Sequence, residues 1–112
     1  MRPLDIRTER RANVVVIHLA GNVDLEVSPQ LRRTLLDSLA DGRDLLVDLE
    51  SVSYIDSSAM ASLVEAFQRA RKAGRRFALA RIPETAMRVM RIARLDRVFL
   101  ILSDVDAGFG EA

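Results

Sequence analysis

The apolar positions of this chain change period several times, and each change marks an element. Val14-Val15-Val16-Ile17, carried on through His18-Leu19-Ala20, is a β-branched run that predicts a strand over residues 13–20. Leu4-Asp5-Ile6-Arg7-Thr8 alternates weakly before it, so a hairpin turning through residues 9–12 is expected. Gly21-Asn22 should end the second strand and residues 24–27 should loop. Ser28-Pro29 then reads as a helix start, with the serine as cap and proline at the first helical position. Leu31, Leu35, Leu36 and Leu39 form the buried stripe of that helix, and Asp41-Gly42 stops it. Leu45-Leu46-Val47-Asp48-Leu49 follows as a strand apolar enough to lie inside a sheet.

In the second half the helical period dominates. Met60, Leu63, Val64, Phe67 and Ala70 recur on one face, with Ser62, Glu65, Gln68, Arg69 and Lys72 expected outward and a stop near Gly74. Phe77-Ala78-Leu79-Ala80 predicts a fourth strand. Pro83-Glu84-Thr85 opens a third helix that turns Ala86, Val89, Met90 and Ala93 inward and Arg88 and Arg91 outward. Residues 98–102 read as a last short strand, and residues 103–112 as a short tail or partial helix. The order β-β-α-β-α-β-α-β calls for an α/β fold with a mixed sheet of four to five strands, an antiparallel hairpin followed by parallel strands, and three to four helices. A single domain over residues 1–112, with its core at about 4–102, accommodates all of them.

Composition narrows the function classes. Seventeen basic residues against sixteen acidic leave a net charge of +1, so no long-range field favours nucleic acid or an anionic membrane. Cysteine is absent and histidine occurs once, which excludes disulfides and leaves few soft ligands for a metal or haem. No metal and no cofactor is expected. The start lacks the apolar stretch of a secretory signal and no run is long enough to span a membrane, so a cytoplasmic protein without membrane insertion is expected. Lys72 is the only lysine. The arginines of the third helix, Arg88, Arg91 and Arg94, read as a solvated outer face.

Catalytic chemistry lacks its parts. A serine hydrolase needs a base, yet the one histidine, His18, lies within a strand on the face of Val14 and Val16 and reads as structural. There is no Gly-rich phosphate loop with its lysine and no Gly-x-Gly-x-x-Gly after the first strand. A phospho-aspartate receiver would need paired acids after the first parallel strand and a lysine after the last, and both are missing. The chain is therefore expected not to be an enzyme.

What stands out instead is Val52-Ser53-Tyr54-Ile55-Asp56-Ser57-Ser58-Ala59-Met60, where an apolar strand and turn hand over to an amphipathic helix. Asp56 or Ser57 suits the N-cap, because a short side-chain oxygen accepts from the free amides of the first turn. Ser58 falls just inside that turn. Two readings of the motif stand side by side: a helix cap and nothing more, or a serine displayed for phosphorylation. A phosphate there would add about −1.5 to −2 charges, which a helix start tolerates.

Several segments together resemble the STAS domains, and among them the bacterial anti-sigma factor antagonists. Gly21-Asn22-Val23-Asp24-Leu25 is similar to their G-x-hydrophobic-D loop, followed by a helix of the Ser28-Pro29-Gln30-Leu31 kind. Asp48-Leu49 through Ile55-Asp56-Ser57-Ser58 resembles their central signature, and Gly74-Arg75-Arg76-Phe77-Ala78-Leu79 and Leu95-Asp96-Arg97-Val98-Phe99 continue the likeness to the end of the domain. The resemblance implies a non-catalytic switch. Unmodified, it would bind an anti-sigma factor that is also a serine kinase; phosphorylation at Ser58 would release it, and a phosphatase would reverse the mark. It also implies a docking surface of Asp24, Asp56, Ser57, Ser58, Ala59 and Met60. The chain departs from the family in carrying Ala59 where glycine is usual, a methyl group that would stand against a partner's backbone.

Two other roles are compatible with the same resemblance. Similar domains serve as subunits of lipid-transport ABC systems, where they bind and modulate the ATPase without a serine switch; a permease and ATPase encoded beside this chain would favour that role. A nucleotide-binding STAS module is a third, disfavoured by the absence of a nearby lysine or Gly-rich cradle.

Overall fold

The computed structural model describes residues 3–111, with side chains through Phe109; Met1, Arg2 and Ala112 of the expected domain lie outside the described residues. Five strands form one sheet in chain order: β1 (Asp5–Arg11), β2 (Val14–Val23), β3 (Asp44–Ile55), β4 (Phe77–Ala80) and β5 (Leu100–Leu102). β1 pairs antiparallel with β2, and the remaining neighbours are parallel. The three parallel crossovers carry α1 (Ser28–Ala40), α2 (Ser57–Lys72) and α3 (Glu84–Ile92). Right-handed crossovers that step in one direction across a sheet place every helix on the same face.

Strand periodicity then divides the residues. Val15, Ile17, Leu19, Leu45, Val47, Leu49, Phe77 and Leu79 point toward the helices and meet Leu31, Leu35, Leu63, Ala66 and Met90 in the main core. Val16, Leu46, Ala78 and Ala80 point the other way, where Leu102, Val105 and Phe109 close over them. The segment expected as a short tail or partial helix packs: a 3-10 turn at Gly108–Glu111 follows Val105, and the Arg76 guanidinium sits 4.6 Å from the centre of the Phe109 ring.

Several boundaries differ from expectation for physical reasons. β1 runs through Arg11, so the hairpin turns at Ala12 and Asn13, with Ala12 at φ 46°. β2 continues past Gly21, which takes φ 91° at an irregularity in the ladder, to Val23. β3 extends six residues beyond the apolar run, because after β4 ends opposite Asp48 it still pairs with β2 from Ala20↔Ser51 to Val23↔Ile55. Ser28 is not the cap of α1; Val27 is, and the Ser28 hydroxyl donates to the Leu25 carbonyl. Ser62, expected outward, is buried and donates to the Ser58 carbonyl, while Ala93, expected inward, is the exposed C-cap of α3. The expected strand over 98–102 shortens to Leu100–Leu102, since a 3-10 turn at Leu95–Arg97 precedes it and leaves Val98 exposed.

Candidate functional site

The long β2–β3 ribbon carries its two ends to the same rim. β2 passes into the turn at Asp24, and β3 passes into α2 at Asp56; the Asp56 amide donates to the Val23 carbonyl at 3.1 Å and locks the two exits together. The Asp24 carbonyl accepts from the amides of Val27 and Ser28, and its carboxylate accepts from the Glu26 amide, which fixes the loop before α1.

Asp56 is the N-cap of α2, in extended backbone. One carboxylate oxygen accepts from the Ser58 hydroxyl at 2.6 Å and from the Ala59 amide at 3.1 Å. The amides of Leu25 and Ser58 also bond this side chain, so a single carboxylate joins the β2–α1 loop to the first turn of α2. Burial works to raise its pKa. The Ser58 hydroxyl and the amides of Ala59, Leu25 and Ser58 outweigh that and hold it below the ordinary aspartate value.

Ser57 is exposed, and Asp24, Asp56 and Ser58 are partly exposed, so these four share one accessible rim. Ala59 and Met60 do not join them. Both are buried in the main core, so the Ala59 methyl and the Met60 side chain face inward and not onto the exposed rim expected for them. Two large side chains not anticipated at this rim are exposed, Leu25 at 72% and Tyr54 at 54%. Leu25 follows Asp24 directly, and Tyr54 lies opposite Asn22 in the ribbon. Asp48, the first acid of the motif, stands apart on the sheet face away from the helices, bonded to His18 and Arg81. Among the described residues no group of three or more His, Cys, Asp or Glu side chains is arranged to hold a metal ion, and no helix is long and apolar enough to cross a membrane.

The family model for the STAS domain matches residues 5–108. This chain belongs to the STAS domain family. Over 105 residues, 94% of the chain and 96% of its relative, this STAS domain is 27% identical to the anti-sigma-B factor antagonist of Bacillus subtilis (strain 168). It superposes with a TM-score of 0.87 on a candidate anti-sigma factor antagonist from Thermotoga maritima, at 22% identity and covering 95% of this chain and 92% of that one. The anti-sigma factor antagonist SpoIIAA, known in unphosphorylated and phosphorylated forms, matches with TM-scores of 0.78 and 0.72 at 20% identity; each match covers 92% of this chain, and 92% and 96% of the SpoIIAA chains. These likenesses establish the fold.

Proposed function

We propose that this STAS domain is an anti-sigma factor antagonist that binds an anti-sigma factor kinase through the rim around Ser58 and lets go once Ser58 is phosphorylated. The observation that carries this reading is the Ser58 hydroxyl itself, presented on the first turn of α2 at a partly exposed rim with its hydrogen held by Asp56 at 2.6 Å. That contact orients the acceptor. Its oxygen attacks the terminal phosphorus of ATP bound by the kinase, the hydroxyl proton leaves to a base, and ADP departs. The resulting ester has no hydrogen to give to Asp56, and a dianion beside a carboxylate repels it. A partner fitted to the neutral serine meets both added charge and the desolvation cost of burying it. The fold tolerates the phosphate, because a helix start favours an anion.

Full-length likeness to the Bacillus subtilis antagonist supports the choice of partner, and the existence of SpoIIAA in unphosphorylated and phosphorylated forms supports a switch by phosphorylation. The setting is the cytoplasm, where sigma factors and ATP occur, and a phosphatase resets the mark. Incubation of the purified chain with the anti-sigma kinase of its own organism and ATP, followed by intact-mass analysis, tests the site: one phosphate is expected on the wild type and none on Ser58→Ala. Modification that persists in that variant, or a chain that binds only a transporter ATPase, would contradict the proposal.

A further inference from the structure

The sheet face away from the helices carries a row of charges that the Ser58 rim does not use. β1 contributes every second residue to it, since Asp5, Arg7, Glu9 and Arg11 pair with Ala20, His18, Val16 and Val14. His18 lies at the centre of this row. Its Nδ1 is 2.7 Å from an Asp48 carboxylate oxygen on β3, and its Nε2 is 3.0 Å from a Glu9 carboxylate oxygen on β1. Arg81 clamps Asp48 with bonds of 2.6 and 3.1 Å, and the Glu50 amide donates to it at 3.1 Å. Arg81 itself sits in the left-handed region at φ 53°, uncommon for a residue with a side chain. Among the described residues Glu9 is held by Arg11 and the ring, and its side chain is 39% exposed against 6% for Asp48.

A neutral imidazole has one N–H and an imidazolium has two. Only the imidazolium can donate to Asp48 and Glu9 together. When the ring has one proton left, one carboxylate faces a bare nitrogen lone pair and must withdraw. Asp48 is fixed by Arg81 and by backbone, whereas Glu9 stands on an edge strand with water beside it. Arg7, directly across from His18, and Asp5, Glu50 and Arg81 line an open hollow of about 270 Å³ next to the ring, which gives solvent protons a route to it.

We propose that His18 is a proton-operated fastener of the edge strand: with two protons it ties β1 to β3 through Glu9 and Asp48, and with one it keeps Nδ1–H on Asp48 and releases Glu9, which loosens β1 on its ladder with β2. The proposal is independent of what happens at Ser58. It requires the Nδ1–H tautomer in the neutral ring, the form that the Asp48 contact selects.

Long-range proton–nitrogen spectra of the full chain labelled at histidine, recorded from about pH 5 to about pH 9, read the ring directly. Wherever the ring carries two protons both nitrogens bear hydrogen by definition, and wherever it carries one the proton is expected on Nδ1 alone. Over the same range, amide exchange in Asp5–Arg11 should rise about tenfold more than in β4 after correction for intrinsic exchange. In Glu9→Gln the extra rise should vanish, because an amide can accept from Nε2–H or donate to bare Nε2. An Nε2–H ring at the alkaline end, or β1 exchange that follows the rest of the sheet, would overturn the proposal.

Discussion

The Ser58 hydroxyl and the Ala59 amide share one oxygen of Asp56, at 2.6 and 3.1 Å, so the group that caps α2 is the group that holds the candidate phosphoacceptor. Structure and switch therefore meet at one carboxylate. Each can be weakened separately, and the outcomes differ.

Asp56→Ala removes the cap and is expected to cost about 1–2 kcal/mol in urea unfolding, as loss of an N-cap does. Asp56→Ser keeps a capping oxygen and should recover most of that loss. The serine cannot hold the Ser58 hydroxyl as a carboxylate does, so phosphorylation by the anti-sigma kinase should stay slow in both variants.

Acid should weaken the fold. Asp56 and Asp48 both have folded pKa values depressed below the ordinary one: at each, burial acts to raise it, and hydrogen bonds and Arg81 at Asp48 prevail. A depressed carboxylate contributes its stabilisation above the unfolded value of about 3.9, and that contribution is lost as pH falls toward and through the folded value. Urea midpoints should decline below about 4, where these carboxylates begin to take up protons in the folded state.

Asp48→Ala leaves His18 and Arg81 without their shared acceptor in a mostly buried place and should cost about 2–3 kcal/mol. Glu84→Gln breaks an exposed pair with Arg91 and should change stability by less than about 0.5 kcal/mol. Equal effects in thermal or urea unfolding would show that the buried network carries no special weight.

Leu25→Ser alters a side chain with almost no buried contacts and should leave unfolding within about 0.5 kcal/mol of wild type. If the rim docks a partner, the same change should lower affinity for the anti-sigma kinase about tenfold in calorimetry, because an exposed leucine at an interface is an apolar anchor.

The order of elements was legible because the core of each one is apolar with a clean period: Val14 to Leu19 in β2, Leu45 to Leu49 in β3 and the Leu63-to-Ala70 face of α2 all appear where the pattern placed them. Ends were harder. The outer part of β3 alternates poorly, since Ser53 and Tyr54 are both exposed while Val52 and Ile55 on either side of them turn into the main core. Val105 and Phe109 lie four apart among aspartate, alanine and glycine, too sparse a signal to reveal that they cover Val16 and Leu46.

At the rim, helix-start chemistry narrowed the cap of α2 to Asp56 or Ser57, and the structure gives the role to Asp56. The inward turn of Ala59 and Met60 could not be read, because a motif string carries no record of which way each side chain faces. The His18–Asp48 contact was hidden in the same manner: thirty residues separate the pair, and only the parallel register of β2 on β3 sets them side by side.

The central claim is that a partner reads the chemical state of Ser58, and one titration tests it most directly. Calorimetry of the anti-sigma kinase with the wild-type chain, and with the chain carrying phosphoserine installed at position 58, should show binding to the first and a loss of about a hundredfold or more with the second. Equal affinity for both forms would contradict the account.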